Sequence, residues 1–290
     1  MAGHTHDHVD WAARIPDLRR ADELAANVFA DIATRLTAGL PGGATVVDVG
    51  AGTGGMSAAL AATLGRRGGG CLLLVDAVPE LLAEAARTAT AVGADGVKIE
   101  TVEANLAAGN LSELVPPAQL IWAASVMHHL PDQQGGIASV AGALSGGGVL
   151  AVAEGGLETQ TLPWDLGVGR PGLEHRLLAA RDEWFGEMRA GIEGTIAMPY
   201  GWTTALRRAG LTDVGSFSHL LDHPAPTTDI VREFVLQRIA HLAEDARERL
   251  TEEDRGTVER LLQPGAGEYL GDRDDLYVLG TKTVHFGRKS

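Results

Sequence analysis

Residues 44–55, Ala-Thr-Val-Val-Asp-Val-Gly-Ala-Gly-Thr-Gly-Gly, constrain the fold more than any other stretch of the chain. Val46, Val47 and Val49 read as a short buried strand, and the apolar run from Met56 to Leu64 reads as a helix. Between them stand Gly50, Gly52, Gly54 and Gly55. Glycine allows a tight reversal and a close backbone approach to a ligand, and the helix that follows presents unpaired N–H groups. Gly50-x-Gly52-x-x-Gly55 also satisfies the dinucleotide fingerprint, so the loop by itself leaves its ligand open.

The rest of the first half repeats strand and helix. Strands are predicted at 71–76, 97–103, 119–127 and 149–154, and helices at 21–38, 79–92 and 133–144. Apolar strands alternating with helices imply a parallel sheet covered on both faces, with a binding crevice at the carboxyl ends of the strands. After Glu154 the regularity stops. Further strands are expected at 210–223 and 276–289, and helices at 227–250 and 251–265, the latter opened by Thr251 and Asp254 in a capping-box-like arrangement. Residues 1–20 read as a flexible N-terminal segment or lid, with Trp11 and Arg14 positioned to fold over a ligand and His4, His6 and His8 as a solvated tail rather than a metal clip. Residues 157–205 and 224–273 read as helical insertions that cap a substrate. The binding domain then comprises 21–156 with 206–223 and 274–290.

Composition narrows the partners. Lys and Arg number 24 against 38 Asp and Glu, a formal charge of −14 over 290 residues, which repels a phosphate backbone and argues against nucleic acid. The single cysteine, Cys71, excludes an intrachain disulfide and a cysteine-based zinc cluster, and reads as a buried inert thiol. No apolar run reaches a membrane span, and a cytoplasmic protein, monomer or homodimer, is expected.

Taken in order, VVDVGAGTGG, LLLVDAVPELL, IWAASVMHHLPD and LSGGGVLAVAEGG resemble the class I S-adenosylmethionine-dependent methyltransferases. The resemblance covers about residues 21–155, and the stretches LTEEDRGTVERLL to TKTVHFGRK are similar to the C-terminal part of small-molecule members. It implies an α/β, Rossmann-like, doubly wound and mostly parallel seven-stranded sheet, with an antiparallel strand near the C-terminus and a helical substrate cap. It also implies S-adenosylmethionine as the cofactor and a small-molecule methyl acceptor. Gly50, Gly52 and Gly54 then line the methionine part, with Asp48 ordering the loop. Asp76 holds the ribose, and Ala77 and Val78 border the adenine. Glu103, Ala104 and Asn105 stand where the family places an acidic residue and an adenine-reading amide, although Glu103 replaces the more usual Asp. Ser125 lies beneath the sulfonium.

Methyl transfer needs alignment of nucleophile, methyl and sulfur, and a base where the nucleophile is a hydroxyl. His128 and His129 follow the fourth strand, and Glu154 closes the fifth, so a histidine–acid pair at the crevice mouth is expected, with His128 preferred as base. Trp164, Trp184, Tyr200 and Trp202 are candidates for an apolar wall, and Arg170 and Arg176 for a carboxylate clamp. The segment from Ser125 to Asp132 has no Asn/Asp-Pro-Pro-Tyr tetrapeptide, which with the acidic charge points to a small, partly apolar metabolite, of the kind found in secondary metabolism, methylated on O or N. Three alternatives stay open at this point: a methyltransferase of a peptide or protein carboxylate, an NAD(P)-dependent oxidoreductase, and a non-catalytic nucleotide-binding protein.

Overall fold

The computed structural model describes residues 10–107 and 109–290. The expectations for His4, His6 and His8 lie outside the described residues. The chain divides into two compact units, one of residues 1–156, 192–219 and 282–290, the other of 157–191 and 220–281.

The first unit opens on helix α1 (Trp11–Leu24) and helix α2 (Ala26–Thr37). Strand and helix then alternate through β1 (Ala44–Val49), α3 (Gly55–Arg66), β2 (Gly70–Asp76), α4 (Pro79–Ala91), β3 (Val97–Glu103), β4 (Ala118–Ala124), α5 (Gln133–Gly142) and β5 (Leu144–Ala153). The sheet has seven strands in the order β3-β2-β1-β4-β5-β7-β6, where β6 is Thr212–His223 and β7 is Val278–Arg288. β1 to β5 pair in parallel, and β7 runs antiparallel to β5 with Ala153 opposite Val284. The order reverses between β1 and β4, which is where a parallel sheet opens a crevice beyond its strand ends.

Both faces of the sheet are buried. Val47, Val49, Leu73, Val75, Ile121 and Ala123 share one cluster with Ile137 and Val140 of α5 and with Ala205 and Leu206 of helix α7 (Trp202–Arg208). Val46, Leu72, Leu74, Leu120 and Trp122 alternate with them and are equally buried. Alternation of two buried sets is what a doubly covered parallel sheet requires.

Several boundaries differ from expectation. Residues 11–20 are helical, although a flexible segment is expected there. Asp10 caps α1 by accepting from the Ala13 N–H at 3.1 Å, and Pro16 sits inside the helix without ending it. β4 stops at Ala124, not at 127, because Ser125 turns into the left-handed region at φ 54° and Met127–His129 form a 3-10 turn. Residues 192–205 group with the sheet rather than with the insertion, since Ala205 and Leu206 are core residues.

The second unit is built on α6 (Leu173–Ala190), α8 (Asp229–Asp245) and α9 (Glu252–Leu262), with Leu177, Val235, Ile239 and Leu261 fully buried. Thr251 caps α9 by accepting from the Asp254 N–H at 3.1 Å. The Asp254 carboxylate accepts from Arg176, at 3.0 Å from Nε and 2.7 Å from Nη2. Arg176, a candidate for a carboxylate clamp, is thus tied to Asp254, and Arg170 lies against Glu253 and Asp254. No helix among the described residues is long and apolar enough to cross a membrane.

Candidate active site

The glycine loop is held from three sides. From β2, the Gly50 N–H donates to the Val75 carbonyl at 2.7 Å, and Asp76 accepts the Gly52 N–H on Oδ2 at 3.0 Å and the Val78 N–H on Oδ1 at 3.0 Å. From β1, Asp48 accepts the Ser57 hydroxyl at 2.5 Å, which ties the strand to the helix beyond the loop. From α1, Asp22 accepts both the Thr53 hydroxyl at 2.5 Å and the Gly55 N–H at 3.0 Å.

The glycines answer to different neighbours. A Cβ on Gly50 would lie 2.2 Å from Val126 Cγ2, and one on Gly54 would lie 2.7 Å from Ala85 Cα. At Gly52, with φ 55°, the nearest atom to such a Cβ is the Gly50 carbonyl oxygen at 4.0 Å. Packing therefore fixes Gly50 and Gly54, while Gly52 presents bare backbone to open space.

Three carboxylates thus converge on one loop, and burial raises all of them. Asp48 is pushed up to about 7, first by desolvation and further by the charges of Asp76 and Asp22, against the opposing Ser57 hydrogen bond. Asp22 and Asp76 are raised by burial and held back by their hydrogen bonds. Lys282 of β7 lies 5.9 Å from the Phe29 ring centroid, and burial lowers its pKa while the charge of Asp22 opposes that shift.

Ala77 is exposed and Val78 half-buried at the start of α4. Asp76 pairs in register with Glu103, an exposed residue at the end of β3. The Ala104 N–H donates to the Asp76 carbonyl at 2.9 Å, so this amide continues the sheet and is not the adenine-reading amide expected there. The Asn105 side chain closes a turn by accepting from the Ala107 N–H at 2.8 Å.

At the ends of the neighbouring strands β4 and β5, Glu154 organises a second cluster. It is buried, and its Oε1 accepts the Val126 and Met127 N–H groups at 2.9 and 2.8 Å. Its Oε2 lies 2.6 Å from His128 Nδ1, and its backbone carbonyl accepts from His285 Nε2 at 3.1 Å. An ionised carboxylate only accepts, so in that contact His128 Nδ1–H donates to Glu154. His129 lies with its ring centroid 3.9 Å from that of His128. Ser125 is exposed at the strand end, in a strained conformation of the kind that clusters at functional sites.

Of the candidates for an apolar wall, two pack against the sheet core. Tyr200 packs against the sheet core, donates to Gln134 Oε1 at 3.1 Å and carries the Arg208 guanidinium over its ring. Trp202 also packs against that core. Trp164, in the second unit, is 66% exposed. Cys71 is half-buried and donates weakly to Glu100. Sequence reasoning missed Asp22, Thr53, Ser57, Lys282 and His285. Thr53 lies inside the glycine motif, where no role was expected of it, and the other four lie outside that motif and reach the loop and the strand ends only through the fold.

Residues 47–150 match the family model of a methyltransferase domain. The match takes in 104 of the 290 residues, and over it the chain is similar to a methyltransferase domain. Among solved structures, an O-methyltransferase family protein from Burkholderia thailandensis shares the fold at 19% identity and a TM-score of 0.50, over 73% of this chain and 57% of its own. This chain thus spans little more than half of that protein. A methyltransferase from Thiobacillus denitrificans, solved with S-adenosylhomocysteine, aligns at 18% identity over 88% of this chain and 89% of its own, with a TM-score of 0.45. Phosphoethanolamine N-methyltransferase 2 of Haemonchus contortus aligns at 14% identity over 91% of this chain and 52% of its own, with a TM-score of 0.46. The chain matches none of the curated proteins.

Proposed function

We propose that the domain binds S-adenosylmethionine and transfers its methyl group to an oxygen or nitrogen of a small, partly apolar metabolite, with His128, supported by Glu154, as general base. The observation that carries this reading is the carboxylate of Asp22 on the first N–H of α3. In a dinucleotide-binding domain that helix start receives a pyrophosphate. Here a side chain of the protein already fills the role, and Asp48 and Asp76 stand close behind it. A pyrophosphate meets repulsion in such a loop. A ligand with a sulfonium and an ammonium meets attraction.

The residues present suit that ligand. Gly52 offers bare backbone, with open space where a side chain would stand. Asp76 uses one acceptor direction on each oxygen, and a carboxylate has about four, which leaves capacity for two ribose hydroxyls. Glu103 and Asn105 at the end of β3, and Ala77 and Val78 at the start of α4, are the candidates to border the adenine. Bound S-adenosylmethionine supplies an activated methyl group with a good leaving group, so the protein needs only to orient an acceptor and hold its proton. Glu154 fixes His128 in the tautomer whose Nε2 accepts that proton. The selection of the acceptor we assign to residues 157–191 and 220–281, which lie outside the matched domain.

Calorimetry with S-adenosylhomocysteine and with NAD tests the reading. Micromolar-range binding of the first, no binding of the second, and much weaker binding of the first by Asp76→Ala are expected. Binding of NAD in preference overturns it.

A further inference from the structure

Asp22 lies on α1, outside the matched residues 47–150, and both of its contacts fall on the glycine loop. The Thr53 hydroxyl and the Gly55 N–H converge on the same oxygen, Oδ2, from either side of Gly54, whose φ is 89°. The fit is reciprocal. Gly55 has no left-handed φ to explain it, yet a Cβ there would lie 2.5 Å from Asp22 Cγ and 2.7 Å from Asp22 Cβ. A side chain at position 55 and a carboxylate at position 22 exclude each other. Asp76 clamps the same loop at Gly52, so residues 52–55 are gripped by one carboxylate from β2 and one from α1.

We propose that Asp22 is a positioning residue for the methyl donor, setting the glycine loop in the shape that receives it. The inference rests on the donor reading given above. The N–H groups at a helix start have no partner within the helix, and a loop flanked by glycines has many alternative conformations. Asp22 removes that freedom before the ligand arrives, so its effect falls on donor affinity.

The test is calorimetric titration of S-adenosylhomocysteine into the native protein and into Asp22→Asn, Asp22→Ala, Gly55→Ala and Arg19→Ala. Hydrogen bonds to a charged group are worth about 1.5–3 kcal/mol, so Asp22→Ala is expected to weaken binding roughly 10- to 100-fold. Asp22→Asn keeps an accepting oxygen and recovers most of that loss. Gly55→Ala displaces the carboxylate and binds at least as weakly as Asp22→Ala. Arg19→Ala removes the ion pair that docks α1 on Glu84 of α4 without touching the loop, and binds within about twofold of native. It separates loop positioning from simple attachment of the helix. Native protein that binds S-adenosylhomocysteine, together with Asp22→Ala of unchanged affinity, overturns the role of Asp22 and leaves the donor reading standing. Asp22→Asn as weak as Asp22→Ala overturns it as well. Native protein that does not bind overturns both readings.

Discussion

Replacing Asp48 by Asn should raise the stability of the variant relative to the native protein as the pH rises from acid to neutral. Asp48 is 2% exposed, and burial beside Asp76 and Asp22 lifts its pKa from 3.8 to about 7. In the unfolded chain it titrates near 3.9. Between those values the folded state holds a proton that the unfolded state has lost. Stability therefore falls as pH rises through that window, at about 1.4 kcal/mol per pH unit, and levels off above the folded pKa. The rise from 3.8 to about 7 corresponds to about 4 kcal/mol at pH 8. Asparagine never ionises and resembles the protonated acid in size. Its extra N–H, if buried without a partner, costs about 1–3 kcal/mol at every pH, which offsets the curve without changing its slope. The assay is urea unfolding of both proteins at half-unit steps from pH 5 to 8.5. The difference in unfolding free energy should move toward the variant by roughly 1.4 kcal/mol per unit up to about pH 7 and then stay constant. A difference that does not vary with pH refutes the reasoning, because it means that Asp48 titrates like a solvated carboxylate.

Asp76→Asn keeps one acceptor for the Gly52 or Val78 N–H and loses the other, so S-adenosylhomocysteine affinity in calorimetry should fall about tenfold, and further in Asp76→Ala. Gly52→Ala strains a left-handed backbone by about 1–2 kcal/mol and places a methyl group over the donor surface; donor affinity should fall while the thermal midpoint drops by only a few degrees. Glu154→Gln retains an oxygen for the Val126 and Met127 N–H groups but offers His128 Nδ1 a donor, which moves the ring proton to Nε2. Turnover should fall about 10²- to 10⁴-fold with donor affinity unchanged, as in His128→Ala, and equal turnover in either variant removes His128 as base.

The first half of the fold was legible because its signals are local. β1 and β2 are short apolar runs, β3 alternates apolar and polar residues, and observed limits fall within a few residues of those expected, with β5 beginning earlier. The pairing of His128 with Glu154 was legible for a related reason: both end strands, and those strands are neighbours in the sheet. What was not legible depends on contacts between distant segments. Nothing in Ala21-Asp22-Glu23 marks Asp22 as a loop clamp. Pro16 and a weak apolar face obscure α1. Arg176 reads as a free cation until α9 brings Asp254 to it. Ala104 reads as an available amide until β2 and β3 are in register.

The glycine loop and the histidine cluster look like separate devices in the sequence, more than 70 residues apart, but packing joins them. Gly50 has no side chain because Val126 Cγ2 fills the space where its Cβ would stand, and Val126 donates its N–H to the same Glu154 that holds His128. A close-packed interior transmits a displacement of this size instead of absorbing it. A side chain at Gly50 would press on Val126 Cγ2, and the backbone N–H of that residue is held by the carboxylate that orients the imidazole. Gly52, with open space at its Cβ position, has no such link. Two glycines two residues apart thus differ in kind: one belongs to the donor surface alone, and the other also sets the geometry of the proposed base. If methyl transfer proceeds as proposed, a side chain at position 50 disturbs both donor binding and the base, whereas one at position 52 disturbs donor binding alone.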